Sequence, residues 1–537
     1  MPPVQVLLLL VPLTYLGAAL LPERCFARLP ERRWTASIFA SAAAWLLALV
    51  AAGTLVIQGA RVAEITLGNT SAVTLGFRLD ALTVVMLVLI TSVAAVILRF
   101  SRRYLDGETG LSRYMRLFLA TMAAVSLLVV TNDLAILAPA WTTSSLTLHQ
   151  LLTFYGDRAP ALIAAHKKFL LSRVADVAIV ASVALIWRVM GTQRIDELLA
   201  RAAVMRDVPL ALQMAGILLA TGVGIRSAQL PFHGWLIQVM EAPTPVSAFL
   251  HAGIVNIGGF VLIRLGGLFA QLEVAQTLLV IAGTCTAVLA ALVMSTRVSV
   301  KVSLAWSTCA QMGFMLLECG LGAYGLALLH LVAHSLYKAH AFLSSGRVVD
   351  QHLLRRMAHQ PARATALHWT LGTAAAVATV LTVGGMLGLR IDGDAGTRAA
   401  ALILALALAP LFVRGPAGGA LATLRGTVAA IVLVSSYSLG HAFFVSIAPH
   451  ESGTPTMDVV RLIIVASAFI ALYIVQATIA ANPAGRFARA LYPACFAGFY
   501  LDEIWTRLTF RIWPPRPLQL TSRVAPLSTA VISKVIA

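Results

Sequence analysis

The sequence predicts an all-α polytopic membrane protein with about fifteen transmembrane helices. Three observations carry that prediction. Of the 537 residues, 59% are hydrophobic and only 12% are charged, where a soluble domain carries roughly 25% charged residues. A soluble chain of this size has no way to hide so much apolar surface. Apolar stretches of the length that spans a bilayer, about 20 residues, recur from one end to the other. Finally, Lys and Arg outnumber Asp and Glu by 40 to 22, a net charge of +18, and they gather between those stretches.

In order, the spans are expected near 3–21, 34–57, 81–100, 114–131, 134–155, 169–190, 209–240, 244–266, 275–295, 301–320, 322–345, 366–388, 399–414, 421–447 and 459–481. The first has no basic n-region, so it reads as a helix rather than a cleaved signal. The seventh is too long for one straight span. Its Gly222, Gly224 and Pro231 predict a broken helix, which a membrane tolerates only where protein or a wet cavity satisfies the freed backbone. The polar stretch 193–207 predicts a short surface helix. The tail, 486–537, mixes aromatic and basic residues and reads as an interfacial amphipathic helix; a sixteenth span is the alternative, limited by Pro514, Pro515 and Pro517.

Charge placement sets the orientation. With fifteen spans the connections alternate sides, and 28 of the Lys and Arg fall on one side against 10 on the other. The basic side is expected to be cytoplasmic, with the N-terminus outside and the C-terminus inside. Arg226 and Lys338 remain, in the middle of apolar segments. A charge there costs at least about 2.5–3.5 kcal/mol, so each is a candidate for function.

Around Lys338, the residues His330, His334 and Lys338 step by four and therefore share one helix face, roughly 6 Å apart per step. Imidazoles titrate near neutral pH, and lysines in desolvated sites titrate lower than in water. Such a file suits proton relay better than structure. Asp176 lies one turn after Arg173; it pairs either with Arg173 at a helix end or with Arg226 as part of a path. His251 and Lys301 are further candidates, Lys301 with ordinary snorkelling as the alternative. His149, His233 and Glu241 are weaker ones. Glu318 reads as an interfacial acid and His441 as structural. The five cysteines form no C-x-x-C pair, so neither a zinc site nor a disulfide framework is expected. No phosphate loop or nucleophile motif stands out, and no catalysis is assigned.

The run Ser227-Ala228-Gln229-Leu230-Pro231-Phe232-His233-Gly234-Trp235-Leu236, followed by Ala242-Pro243-Thr244-Pro245-Val246-Ser247-Ala248-Phe249-Leu250-His251-Ala252, resembles the signature of the antiporter-like, proton-translocating subunits of respiratory complex I. Lys301-Val302-Ser303-Leu304-Ala305-Trp306-Ser307-Thr308 and the His330, His334, Lys338 helix are similar to later parts of the same signature. The resemblance covers about Phe77 to Gly346, with a weaker match at Gly498-Phe499-Tyr500-Leu501-Asp502-Glu503-Ile504. It implies two inverted five-helix repeats with broken helices. These would be 114–266 and 275–414, preceded by N-terminal spans (1–113) and followed by C-terminal spans (421–481) and the tail. It also implies an ion path through Asp176, Arg226, His251, Lys301, His330, His334 and Lys338.

The departures matter too. The family's glutamate after a tryptophan in the fifth span is replaced by Thr142, which follows Trp141. Its lysine in the first broken helix falls at Arg226, and a guanidinium does not release its proton. The second broken helix offers only Thr382-Val383-Gly384-Gly385-Met386 and then Arg390. With the run from Trp141 to Tyr155, these features look closest to the membrane subunits of bacterial DAB inorganic-carbon transporters. That resemblance implies a cell inner-membrane protein that conducts a cation, H+ by preference, and a partner, a DabA-like zinc protein akin to β-carbonic anhydrases, which would hydrate CO2. No cofactor is expected in this chain. The alternatives are a pumping subunit of a complex I-type enzyme, a subunit of a multi-subunit Na+/H+ antiporter, and a purely structural anchor.

Overall fold

The structure, a computed structural model, describes residues 3–22, 30–67, 73–156, 158–347, 365–389, 393–414, 419–448 and 455–514. Helices occupy every segment expected to span. They are α1 (Val4–Leu20), α2 (Pro30–Gln58), α3 (Ala81–Tyr104), α4 (Leu111–Val130), α5 (Leu134–Leu152), α6 (Ala159–Met190), α7 (Ile195–Ala203), α8 (Leu210–Arg226), α9 (Gly234–Gln238), α10 (Thr244–Ala252), α11 (Ile257–Arg264), α12 (Gly266–Phe269), α13 (Glu273–Met294), α14 (Val300–Gly320) and α15 (Tyr324–Leu343), then α16 (Ala366–Thr379), α17 (Ala395–Arg414), α18 (Ala420–Ile447), α19 (Pro455–Ala481), α20 (Arg486–Phe496) and α21 (Glu503–Ile512). Among the described residues ten helices are long and apolar enough to cross a bilayer, and α1 and α8 are shorter apolar helices. The α5, α14 and α15 helices carry the polar groups described below. α7 is the surface helix expected within 193–207.

One element departs from an all-α fold. Strands β1 (Arg61–Leu67) and β2 (Val73–Leu79) form an antiparallel hairpin, with Arg61 opposite Leu79. Residues 61–67 are too short for a span, and the polar–apolar alternation of Ala63-Glu64-Ile65-Thr66-Leu67 is the strand period. β2 is followed by Asp80, whose side chain accepts the Thr83 amide at 2.8 Å and caps α3.

The main core runs from α1 through α15, where side chains such as Tyr15, Phe118, Trp141 and Phe342 are fully buried. Close backbone approach fixes its tightest seam. A Cβ on Gly283 of α13 would lie 2.5 Å from the Gly313 carbonyl of α14, so only glycine fits there, as is usual where membrane helices touch through small residues. The outward face of α6 presents Val174, Val177 and Val180, as a face toward lipid should.

Two boundaries, and the form of the tail, differ from expectation. α6 starts at Ala159, not 169, because Pro160 is pre-organised for a first helical turn. α8 runs straight through Gly222 and Gly224 and stops at Arg226; the break is the turn 227–233 with Pro231. Gly222 serves packing instead, since a Cβ there would be 2.7 Å from Ile179 of α6. In the second half, α16 passes into a π-helical turn, Val380–Gly384, which carries no charged side chain; Arg390 lies outside the described residues. The tail forms two helices, α20 and α21, separated by a kink where Gly498, Phe499 and Tyr500 all have positive φ; Pro515 and Pro517 lie outside the described residues.

Candidate functional site

Two buried polar clusters occupy the bundle. The first surrounds the end of α8. Arg226 ends that helix, its guanidinium 5.4 Å from the Trp141 ring, and it donates to the Trp141 carbonyl at 3.3 Å. It also pairs with Asp176 of α6. The same carboxylate lies 2.8 Å from the Arg173 guanidinium as an ion pair, so both pairings open to Asp176 from its sequence are made at once. One carboxylate facing two guanidiniums leaves a net positive site, and both arginines hold their protons.

The second cluster lies between α10, α14 and α15. On α15, His330, His334 and Lys338 form the expected file, and the first two rings are 6.1 Å apart. His330 Nδ1 is 3.0 Å from Glu318 at the end of α14. Lys338 is fully buried and donates to the Leu304 carbonyl at 3.0 Å. His251 of α10 is also fully buried, stacked on Phe342 at 4.5 Å, and lies within electrostatic reach of His334 and Lys338. Among the described residues no protein group bonds either ring nitrogen of His251 or His334. An unbonded buried polar group costs about 1–3 kcal/mol, a cost hard to justify by packing alone. Four titratable side chains plus Glu318 thus gather in one buried cluster between these helices.

The tail reaches the first broken helix. Asp502 accepts Lys167 of α6 at 2.7 and 3.0 Å and Gln238 of α9 at 3.1 Å, and Lys167 also donates to Thr506 at 2.6 Å. The carboxylate lies directly on Gly234, where any Cβ would collide with it. Phe232 packs on Trp505 with ring centroids 4.8 Å apart. This part of the tail is a docked element, beyond the lipid-surface role its composition suggests.

The remaining candidates sort clearly. Lys301, half-buried at the start of α14, donates to Thr244 of α10 at 2.8 Å. His149 meets the Ala165 carbonyl at 3.1 Å, beside the first cluster. His233 is buried in the break, 4.8 Å from the Trp306 ring. Glu241 is exposed and joins neither cluster. Three residues escaped sequence reading. Glu318 is buried, and its partner becomes visible only once the tight α14–α15 connection folds back. Lys167 and Lys168 lie outside a span that begins near 169 but inside the helix that begins at Ala159, for which Pro160 is the sequence signal. Both are buried, as are Arg264 and Arg461. Arg264 is tied to Asp80 at 2.5 Å and Arg461 to Gln276 at 2.9 Å, so Arg226 and Lys338 are not the sole buried cations. Among the described residues no group of three or more His, Cys, Asp or Glu could hold a metal.

Residues 131–409 match the family described as NADH:quinone oxidoreductase/Mrp antiporter, transmembrane, and residues 65–115 match the complex I chain 5 N-terminus. The chain is 36% identical over 529 residues to the "Probable inorganic carbon transporter subunit DabB2" of Halothiobacillus neapolitanus, covering 95% of this chain and 94% of that one. It is 38% identical to the "Probable inorganic carbon transporter subunit DabB" of Hydrogenovibrio crunogenus, over 81% of this chain and 83% of the relative. In fold it is similar to a chain of the Mrp complex from Dietzia sp. DQ12-45-1b, with a TM-score of 0.63 at 23% identity, covering 98% of this chain and 62% of that one. The chain belongs to the NADH:quinone oxidoreductase/Mrp antiporter family of multi-pass membrane subunits and, within it, groups with the DabB inorganic carbon transporter subunits.

Proposed function

We infer that this chain is the ion-conducting membrane subunit of an energy-coupled inorganic-carbon (CO2/bicarbonate) transporter. It passes a cation, H+ by preference, down its gradient and couples that flow to a DabA-like zinc partner resembling carbonic anhydrases. The observation that carries this is the buried track of Glu318, His330, His334, Lys338 and His251. Imidazole and amine can each take and release a proton, and a step of one helical turn, about 6 Å, is one that a single bridging water can span. Hydration of CO2 releases a proton, so a proton path beside the partner's zinc would bias the reaction in one direction. The names of the DabB relatives support the carbon-uptake reading.

In this reading Asp176 and Arg226 form a fixed charge pair beside the path, and Lys301 and His251 flank it. The helices divide into repeats 114–266 and 275–414 between N-terminal spans and C-terminal spans with a docked tail. The chain sits in the bacterial inner membrane with its N-terminus outside and its C-terminus and basic face toward the cytoplasm, where the partner binds. Purification in mild detergent, with mass and zinc measured on what accompanies the chain, tests the partner: a large zinc protein is expected. Companions of a redox enzyme, or flux that depends on Na+, would instead favour the complex I-type or Na+/H+ antiporter alternatives.

A further inference from the structure

Arg226 cannot exchange a proton, and Thr142 stands where an acid is expected, so the first cluster needs another titratable group if it conducts. Lys168 is that group by position. It is buried on α6, and its Nζ donates to the carbonyl and hydroxyl of Ser145 on α5 at 2.6 and 2.7 Å. Ser145 is three residues past Thr142, on the same helix. Lys168, Ser172 and Asp176 step by four along α6, so they share a face, and Ser172 is also buried.

The neighbours of Lys168 separate it from every other buried cation in this half. Lys167, the residue before it, holds Asp502; Arg226 and Arg173 hold Asp176. Among the described residues no carboxylate lies within ion-pair distance of Lys168, and its hydrogen-bond acceptors are neutral. The charged and titratable groups that face it are Arg173 and Asp176 from its own helix, Arg226 from α8 and His149 from α5. His149 is one turn beyond Ser145, and Trp513 of the tail closes that end, stacked on His166 at 3.9 Å.

We propose that Lys168, bound to Ser145 between the Arg226–Asp176 pair and His149, is the proton-exchanging residue of the first half of the chain. Each transit moves one proton. The ammonium gives it up toward His149, leaving the neutral amine on Ser145, and the amine takes the next from the Asp176 side. Asp176 is about 12 Å away along the helix axis. Arg226 and Arg173 keep their charges throughout.

This rests on the proton-conducting reading above, and the test separates the two. The complex as purified is placed in lipid vesicles with a pH-sensitive dye inside, and flux is compared for wild type and for Lys338→Met, Lys168→Met, Lys168→Arg and Lys168→His, each checked for monodispersity in detergent. Lys168→Arg keeps the charge but not the exchange, so it should lose about tenfold or more of the flux, as should Lys168→Met. Lys168→His should retain conduction with its pH profile moved to lower pH, because an imidazole in the same setting is the weaker base. Should Lys168→Met fail to assemble, the Arg and His variants still decide. If wild type conducts, Lys338→Met stops it and Lys168→Arg conducts normally, Lys168 is a fixed charge and this assignment alone is wrong. If wild type does not conduct, both readings fall.

Discussion

Replacing Gly234 by alanine should undock the C-terminal helices. At that position a Cβ would lie 1.5, 2.0 and 2.5 Å from Oδ1, Cγ and Oδ2 of Asp502. The carboxylate must swing away, which takes its bonds from Lys167 and Gln238. Lys167, whose side chain is fully buried, keeps only Thr506. Breaking a fully buried pair costs about 3–5 kcal/mol. Asp502 is 27% exposed, so water recovers part of that and about 2–3 kcal/mol is the expected loss. Gly224→Ala is the control, because its Cβ would meet nothing nearer than 3.7 Å. Thermal denaturation in detergent, followed by size-exclusion chromatography, reads stability; limited proteolysis reads exposure of 486–512. Gly234→Ala should melt earlier and be cut in the tail, while Gly224→Ala should match wild type. Equal behaviour of the two would refute the seating of Asp502 on α9.

Two other perturbations test the clusters. Asp176→Asn takes the counter-charge from the buried Arg226 guanidinium and should cost about 3–5 kcal/mol in the same melting assay, whereas Arg173→Gln, removing a side chain already 31% exposed, should cost no more than about 1 kcal/mol; a reversed order would show that Arg226 is satisfied elsewhere. Glu318→Gln keeps a hydrogen-bonding partner of the same size for His330 and should leave melting unchanged, yet lower proton flux about tenfold; unchanged flux would place Glu318 outside the track.

Hydropathy located the spanning helices because the bilayer demands length and apolarity of each one separately. It also isolated Lys338, whose file on α15 needs only the four-residue step. What it missed depends on contacts between segments. The buried state of Lys167 and Lys168 follows from a helix start that carries little hydropathy, and the pairing of Lys167 with Asp502 joins residues 335 positions apart. Glu318 looked interfacial until the chain folded back on His330. Gly222 and Gly224 signalled a break by composition alone, but Gly222 is needed where α8 presses on α6, and the chain turns only after Arg226. The β-hairpin leaves no hydropathy signal because its seven-residue strands are too short to register as spans.

Proton flux through the purified complex in vesicles, wild type against Lys338→Ala, bears most directly on the central claim that the buried track of α15 carries the ion. The Lys338→Ala complex should assemble with its partner and remain monodisperse, yet lose proton flux and, in cells, bicarbonate accumulation. A Lys338→Ala complex that assembles and moves protons and bicarbonate as wild type does would contradict the account.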